Sequence, residues 1–451
     1  MVNTLHPITR HRFNALTFAK HPGAALMAEE VEWWADNDER VLGTIFIDFE
    51  DEEWNCIVLG RDEKALFRYI DGQFSLATPA LARNALRALM LQASDSGLAM
   101  FEQSDITSKK TEIFRVANKL IGRTHRNFDI LTKDRGHAAA RKIIQEIAYA
   151  YTDLDGNFVE QFQTTGFHAR LWELYLHAYL HESLFISHRR HDRPDYEVEK
   201  FSGPLFIECV TVNPNPDFDP PFAPTTPAQV EELNRDYTPI KFGSPLFSKL
   251  QKRYWELPHV TGKPLLIAIH DFHENEAMTW TSPGLSQYLY GLRFRPFFDA
   301  KGKLHVMPEA IESHTYKGKT IPSGFFKQAG AENIAGVLFS SSATLAKFNR
   351  MGTLAGFGDP DVVLMRAGTR YDHDPNAAVP KPFFAYVKPG DYEESWGEGL
   401  SLYHNPGAIH PVDPRLFPGI AHHYLKDGQQ VSMLPEFFPY GSITSIIVPT
   451  D

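Results

Sequence analysis

The segment PDYEVEKFSGPLFIECVTV, residues 194–212, decides the fold that the sequence predicts. Residues 196–198 and 205–212 have the composition of two short strands, and residues 201–203 form a turn between them. Along the second predicted strand, alternation places Glu208 on one face among apolar side chains. A carboxylate in such surroundings is costly unless it is paired or binds a cation. Glu208 is therefore the first candidate for a functional residue.

Helices are predicted on both sides of this segment. Residues 167–184 are apolar almost all round, which is typical of a buried helix. A polar, proline-rich loop is predicted over residues 213–243. The Ser244-Pro245 pair then suits the N-cap and first position of a second helix, which should run to about residue 257. Residues 265–270 are an apolar run suited to a buried strand.

Four side chains in this region could carry chemistry: Glu173, Asp195, Glu208 and Lys249. Asp195 and Glu208 lie on neighbouring predicted strands, so their carboxylates are expected to converge. Mg²⁺ typically binds one or two carboxylates together with waters and phosphate oxygens. A metal held there could polarise a phosphodiester and lower the pKa of an attacking water. Without a cation, repulsion between the clustered carboxylates predicts a raised pKa for at least one of the three acids.

The order of predicted elements over residues 165–272 resembles the PD-(D/E)xK nuclease superfamily, whose core runs helix, strand, strand, helix, strand. The resemblance implies that Pro194-Asp195 is the first motif, Glu208 the acid of the second, and Glu173 the additional helix acid of many members. It also implies Mg²⁺ or Mn²⁺ as cofactor, bound by Asp195, Glu208 and Glu173. The implied substrate is nucleic acid, in the first place DNA.

The second motif departs from the superfamily at one position. It should read acid, any residue, Lys, but Val210 stands where the lysine is expected. Some members carry that lysine on the following helix instead. On the predicted helix, Lys249 lies at the border of the apolar stripe, whereas Lys252 lies further toward solvent. Lys249 is therefore the predicted relocated lysine, with Lys252 as the second candidate.

Each of these four residues also has a purely structural interpretation. Asp195 would be a turn acid before a strand, and Lys249 a charge that flanks the core. The two glutamates would be buried acids that bond a neighbouring side chain. The neighbours to consider are Arg170 or Arg193 for Glu208, and His177 for Glu173.

The fold class predicted for the whole chain is α/β (α+β), with a mixed central sheet flanked by helices and a restriction-endonuclease-like core. Residues 1–104 are predicted to be a small N-terminal α+β accessory domain. It should contain a helix over 23–34, a hairpin with strands 41–49 and 56–60, and a helix over 79–94. The other predicted segments are a helical connector over 105–159, the core over 160–350, and an irregular C-terminal extension packed on the core over 351–451.

The composition and the net charge limit which functions are compatible with this chain. The 451 residues are 43% hydrophobic and 13% aromatic, which indicates a globular protein with a large core. The formal net charge of −11 counts against a simple nucleic-acid binder, because non-specific affinity comes from Lys and Arg on phosphates. A bound Mg²⁺ would add positive charge that this sum omits.

The cellular compartment is predicted from what the sequence lacks. The two cysteines, Cys56 and Cys209, cannot build a disulfide framework. The N-terminus has no apolar run typical of a signal peptide, and no stretch of 18 apolar residues occurs. These features predict a cytoplasmic protein without a membrane partner.

Three functions follow from these observations. The first is a Mg²⁺-dependent nuclease with a relocated lysine. The second is a non-catalytic protein of the same fold that binds nucleic acid or a protein partner. The third is a structural protein whose acids form ion pairs. The chain also resembles a family of bacterial proteins over residues 156–162, 347–352 and 442–445, but that resemblance implies no activity.

Overall fold

An antiparallel sheet with its strands in chain order forms the N-terminal part of the structure. The computed structural model describes residues 4–103 and 110–449. The strands of this sheet are β1 (Leu5–Pro7), β2 (Ala28–Asp36), β3 (Val41–Asp48), β4 (Trp54–Arg61) and β5 (Phe67–Leu76). The helices of this part are α1 (Arg10–Leu16), α2 (Ala24–Met27) and α3 (Pro79–Asp95).

Helix α3 covers one face of this sheet. Thr78 caps it by accepting a hydrogen bond from the Leu81 backbone N–H, and Pro79 stands at its start. The predicted hairpin and the helix over 79–94 are confirmed. The helix predicted over 23–34 is wrong, because the chain leaves the four-residue α2 and enters β2. Pairing with β1 on one side and β3 on the other outweighs the local helical spacing.

A helical layer follows and ends in the most deeply buried helix of the chain's first half. Its helices are α4 (Arg126–Lys133), α5 (Ala138–Ala150), α6 (Phe158–Gln163) and α7 (Phe167–Glu182). Trp172, Tyr175 and Tyr179 of α7 are completely buried, which confirms the prediction of a buried helix.

A mixed sheet lies at the centre of the fold. Its elements and their neighbours follow α7 in this order: β6 (Ile186–His188), β7 (Tyr196–Lys200), β8 (Gly203–Val212), α8 (Pro227–Arg235), α9 (Tyr237–Leu250), β9 (Leu265–Asp271), α10 (Ser282–Tyr290), β10 (Leu292–Phe298), β11 (Leu304–Ala310), β12 (Ser313–Tyr316), β13 (Lys319–Pro322), β14 (Gly336–Ser340), α11 (Leu345–Leu354), β15 (Val363–Arg370), β16 (Lys381–Val387), β17 (Leu400–His404), β18 (Ala421–Lys426), β19 (Gln429–Met433) and β20 (Pro439–Ile447).

Across the described residues, the central sheet has the strand order β19-β18-β17-β14-β9-β8-β7-β6. Strands β8, β9 and β14 are parallel, whereas β6, β7 and β8 form an antiparallel meander. Helix α7 packs on one face, against Ile207 and Leu266. Helices α9 and α10 pack on the other, against Phe206 and Ile267. The predicted mixed α+β class with helices on a central sheet is thus observed.

Two predicted segments differ from the structure. The loop predicted over 213–243 contains α8, whose Thr226 and Gln229 form a reciprocal capping box, and the start of α9. Pro245 was expected at the first position of a helix but lies inside α9. A proline there removes one backbone hydrogen bond. Buried Phe242 and Leu246 on either side hold the helix in the core.

The C-terminal extension predicted as irregular over 351–451 is also different. It supplies β17, β18 and β19 to the central sheet, and β15, β16 and β20 form a separate antiparallel sheet. These strands are short and separated by Pro- and Gly-rich loops, so their periodicity is weak. No helix in the described ranges, 4–103 and 110–449, is long and apolar enough to cross a membrane.

Candidate active site between β7, β8 and α9

Asp195 and Glu208 meet where β7 begins beside β8. Tyr196 pairs with Ile207 in the antiparallel register, so Asp195 lies opposite Glu208 one position earlier. The Asp195 backbone N–H donates to Glu208 Oε2 at 3.2 Å. The Cys209 backbone N–H donates to Asp195 Oδ2 at 2.7 Å. The two strands therefore hold both carboxylates in one place.

Glu208 is buried on the face of the sheet that α9 covers. Its exposed fraction is 4%, and Phe206 and Val212 belong to the apolar core on the same face. Lys249, in the last turn of α9, donates to Glu208 Oε1. The hydroxyl of Tyr254, in the helical turn after α9, donates to the same oxygen at 2.8 Å. The lysine predicted at the stripe border thus points at Glu208.

Lys252, the second candidate, lies elsewhere. Its side chain is exposed, and within the described part of the chain it makes no ion pair. Neither Arg170 nor Arg193 is the ion-pair partner of Glu208, so that structural interpretation names the wrong cation. The structure therefore distinguishes the two candidate lysines, because Lys249 contacts Glu208 and Lys252 does not.

Glu173 lies on α7, against the opposite face of the sheet. Arg170 Nη1 donates to both of its carboxylate oxygens, at 2.9 and 2.8 Å, and the Tyr151 hydroxyl donates to Oε2 at 2.8 Å. The Tyr196 hydroxyl donates to its backbone carbonyl at 2.6 Å, which ties α7 to β7. Its partner is thus Arg170 and not His177, whose pKa burial lowers to about 3.

The three acids influence one another electrically. Burial, together with the charges of Glu208 and Glu173, raises the pKa of Asp195 to about 8. This agrees with the raised pKa that clustered carboxylates predict. Burial by itself would lower the pKa of Lys249, but the charge and hydrogen bond of Glu208 outweigh it and raise that pKa. The surroundings therefore favour the protonated form of Asp195 and the charged form of Lys249.

The Asp195 carboxyl should make stability depend on pH. Its folded pKa, about 8, lies above the unfolded value of about 3.9. The folded state therefore holds the proton more tightly, and this contribution is lost as the pH rises through 8. We expect Asp195→Asn to reduce the fall in melting temperature between about pH 5 and pH 9, measured by differential scanning fluorimetry. Asp192→Asn, at an exposed neighbour, should keep the wild-type fall. An equally steep fall in Asp195→Asn would contradict the assignment.

Several residues of this site carry no sequence signal. Tyr254 reads as one member of an apolar helical stripe, and its spacing does not reveal the bond to Glu208. Arg189 donates to the backbone carbonyls of Asp195 and, at 3.1 Å, Thr152, and lies 4.8 Å from the ring centre of Tyr151. These contacts join segments that are distant in sequence, so only the folded chain defines them.

A second titratable cluster lies at the end of β9 and just beyond it. His273 Nδ1 lies 2.8 Å from Asp271 Oδ1, and both side chains are buried. His270 is buried beside Trp172 and Phe272, and burial lowers its pKa to about 3. Among residues 4–103 and 110–449, no three His, Cys, Asp or Glu side chains form a group that could hold a metal ion. The metal ligands to consider are therefore a pair, the carboxylates of Asp195 and Glu208.

The fold and site together define an α+β protein with a buried acid–lysine pair at the junction of two strands and a helix. No protein-family model, curated protein or solved structure matches this chain. The function is therefore inferred from the residues of this chain.

Proposed function

We propose that this protein is a Mg²⁺- or Mn²⁺-dependent nuclease that hydrolyses phosphodiester bonds, with DNA as substrate. The observation that carries the proposal is the bond from Lys249 to Glu208, whose carboxylate in turn accepts from the Asp195 backbone. Val210 cannot supply a positive charge, and Lys249 reaches the same acid from α9.

The order of elements supports a restriction-endonuclease-like core. Helix α7 precedes the antiparallel meander β6-β7-β8, α9 follows it, and β9 pairs parallel to β8. Apart from the additional strand β6 and helix α8, this follows the helix–strand–strand–helix–strand order of the PD-(D/E)xK superfamily that the sequence resembles. Glu173 on α7, Glu208 on β8 and Asp195 immediately before β7 support the proposal.

The donor set suits a hard divalent cation. Asp195 and Glu208 would hold the metal, since Mg²⁺ is satisfied by one or two carboxylates plus waters and phosphate oxygens. Burial and the neighbouring carboxylates raise the pKa of Asp195. A divalent cation bound there would favour the ionised carboxylate and so oppose both effects. Glu173 would act through its charge, because α7 places it against the face of the sheet opposite Glu208. This revises its expected role as a ligand.

The remaining groups would position the attacking water and the two carboxylates and would stabilise charge on the phosphate. The bound cation would supply Lewis acidity and a more acidic water. The Lys249 ammonium would orient the attacking water and stabilise charge that develops on the phosphate. Tyr254 would fix the Glu208 carboxylate through its hydroxyl, and the Cys209 backbone N–H would fix that of Asp195.

Cleavage of labelled single- and double-stranded DNA and RNA, each with Mg²⁺ and with Mn²⁺, tests the proposal. We expect metal-dependent cleavage that Asp195→Asn and Glu208→Gln abolish. Glu199→Gln, on the same strand β7 but half-exposed, should retain it. A cation that binds only the folded protein must also raise the melting temperature, and this shift should disappear in Asp195→Asn. Wild-type protein that cleaves none of the substrates with either metal would rule out the nuclease proposal.

The non-catalytic and structural alternatives rest on the ion pairs themselves. Glu208 pairs with Lys249 and Glu173 with Arg170, as purely structural acids would. If the metals leave the melting temperature unchanged but labelled DNA binds, the protein is a non-catalytic nucleic-acid binder. If neither binds, the acids are structural.

A further inference from the structure

A separate cavity of about 710 Å³ lies on the same side of the central sheet as α10. Its floor includes Phe339 of β14, Ser401 and Tyr403 of β17, and His423 of β18. Ser401 and Tyr403 are two residues apart on one strand, and Tyr403 pairs with His423 across to the next. Their side chains therefore share one face of the sheet. The cavity falls within the size range of small-molecule sites.

The lining of this cavity lacks formal charge. Among the described residues, no Asp, Glu, Lys or Arg side chain lines it; its histidines are His423 and His373, whose Nε2 lies 2.8 Å from the Glu436 carbonyl oxygen. Burial lowers the pKa of His423 to about 3, so its ring is neutral. A charged ligand would enter this site without a counter-charge, which is unfavourable. The lining thus selects against phosphates, carboxylates and amines.

Hydroxyl groups supply the unused hydrogen-bonding capacity. Ser401 and Tyr403 are both 4% exposed, yet neither hydroxyl has a hydrogen-bond partner within the described chain. The hydroxyls of Tyr371 and Tyr440, on the cavity wall, have no partner there either. These hydroxyls reach the cavity, so a purely apolar ligand that covered them would leave them without partners, which is costly.

Other polar groups in the wall are already fixed. Ser286 Oγ donates to Gln430 Oε1 at 2.8 Å, and His423 Nδ1 lies 2.8 Å from Ser432 Oγ. The rings of Tyr403 and His423 stack with centroids 4.6 Å apart. The cavity thus combines rigid aromatic faces with free hydroxyls, a pattern that favours recognition by shape and hydrogen bonds.

We propose that this cavity binds a neutral saccharide of one or two rings. The hydroxyls of such a ligand would pair with those of Ser401, Tyr403, Tyr371 and Tyr440. Its C–H faces would pack on the aromatic rings, and its lack of charge matches the lining. The inference concerns a different part of the sheet from Asp195 and Glu208 and does not depend on the nuclease proposal.

Saturation-transfer NMR on the full chain tests this site. The probe is a mixture of glucose, galactose, mannose, ribose, maltose and cellobiose, with adenosine and thymidine in a separate sample. We expect signal from at least one sugar, and a loss of at least half of it in Ser401→Ala and Tyr403→Phe. Tyr386→Phe, an exposed tyrosine on β16, should keep the full signal. Melting curves establish that each variant is folded.

Three results would overturn the proposal. The first is no signal from any of the six sugars with the folded wild-type protein. The second is undiminished signal in both folded cavity variants, which would place binding elsewhere. The third is signal from the nucleosides and from none of the sugars, which would assign the cavity to another ligand class.

Discussion

Lys249→Ala should lower metal-dependent DNA cleavage on the order of 10² to 10³-fold, the usual cost of removing a group that stabilises charge in the transition state. The ammonium of Lys249 bonds directly to Glu208, and among the described residues no other Lys or Arg forms an ion pair with that carboxylate. The measurement is single-turnover cleavage of labelled DNA at saturating Mg²⁺. Lys252→Ala, three residues further along the chain and exposed, should cleave at the wild-type rate. Equal rates in Lys249→Ala and the wild type would show that the lysine is not part of the reaction.

The same substitution should also destabilise the protein. A lysine at the border of a stripe would be dispensable for folding, but this one neutralises a carboxylate that is 4% exposed. Removing one partner of a buried pair costs about 3–5 kcal/mol. The double variant Lys249→Ala/Glu208→Gln should recover part of the melting temperature while staying inactive. Because Glu208→Gln alone should abolish cleavage, the double variant tests only stability, and its recovery would assign the loss in Lys249→Ala to the unpaired Glu208 carboxylate.

The second large effect is expected at Glu394, in the C-terminal part of the chain. Its carboxylate bonds Lys347 Nζ at 2.6 Å, Arg350 Nε at 2.7 Å and the Tyr392 hydroxyl at 2.7 Å. Arg366 Nη1 lies 3.5 Å from it. Burial opposes ionisation of Glu394, but Arg350, Lys347 and Arg366 outweigh burial and hold its pKa well below the ordinary value.

Glu394→Gln should therefore lower the free energy of unfolding by about 3–5 kcal/mol, because three buried cations lose a shared partner. Urea unfolding followed by circular dichroism measures the change. Glu393→Gln is the matched control, since the neighbouring side chain is 77% exposed and its effect should be within about 0.5 kcal/mol of zero. Equal unfolding midpoints for the two variants would show that the cluster does not stabilise the fold.

The sequence by itself determined the elements whose signals are local. The strands predicted over 205–212 and 265–270 fall within β8 and β9 because apolar side chains recur within each segment, and the helix predicted over 167–184 is α7, which ends at Glu182, for the same reason. Consecutive strands joined by a tight turn are neighbours, so the approach of Asp195 to Glu208 follows from their order alone. The position of Lys249 at the stripe border follows from helical periodicity.

Only the tertiary structure decided features that depend on distant partners. Strands β17 to β19 are too short to show a period, and they form because β14 offers them an unpaired edge. The segment over 23–34 has helical spacing, yet it pairs as β2. Arg170 lies only three residues before Glu173 on α7, but Gln161 of α6 fixes its guanidinium and so helps to decide that Glu173 pairs with it and not with His177. A local pattern fixes which face a side chain occupies, but the charge that meets it there comes from whichever segment the packed core brings alongside.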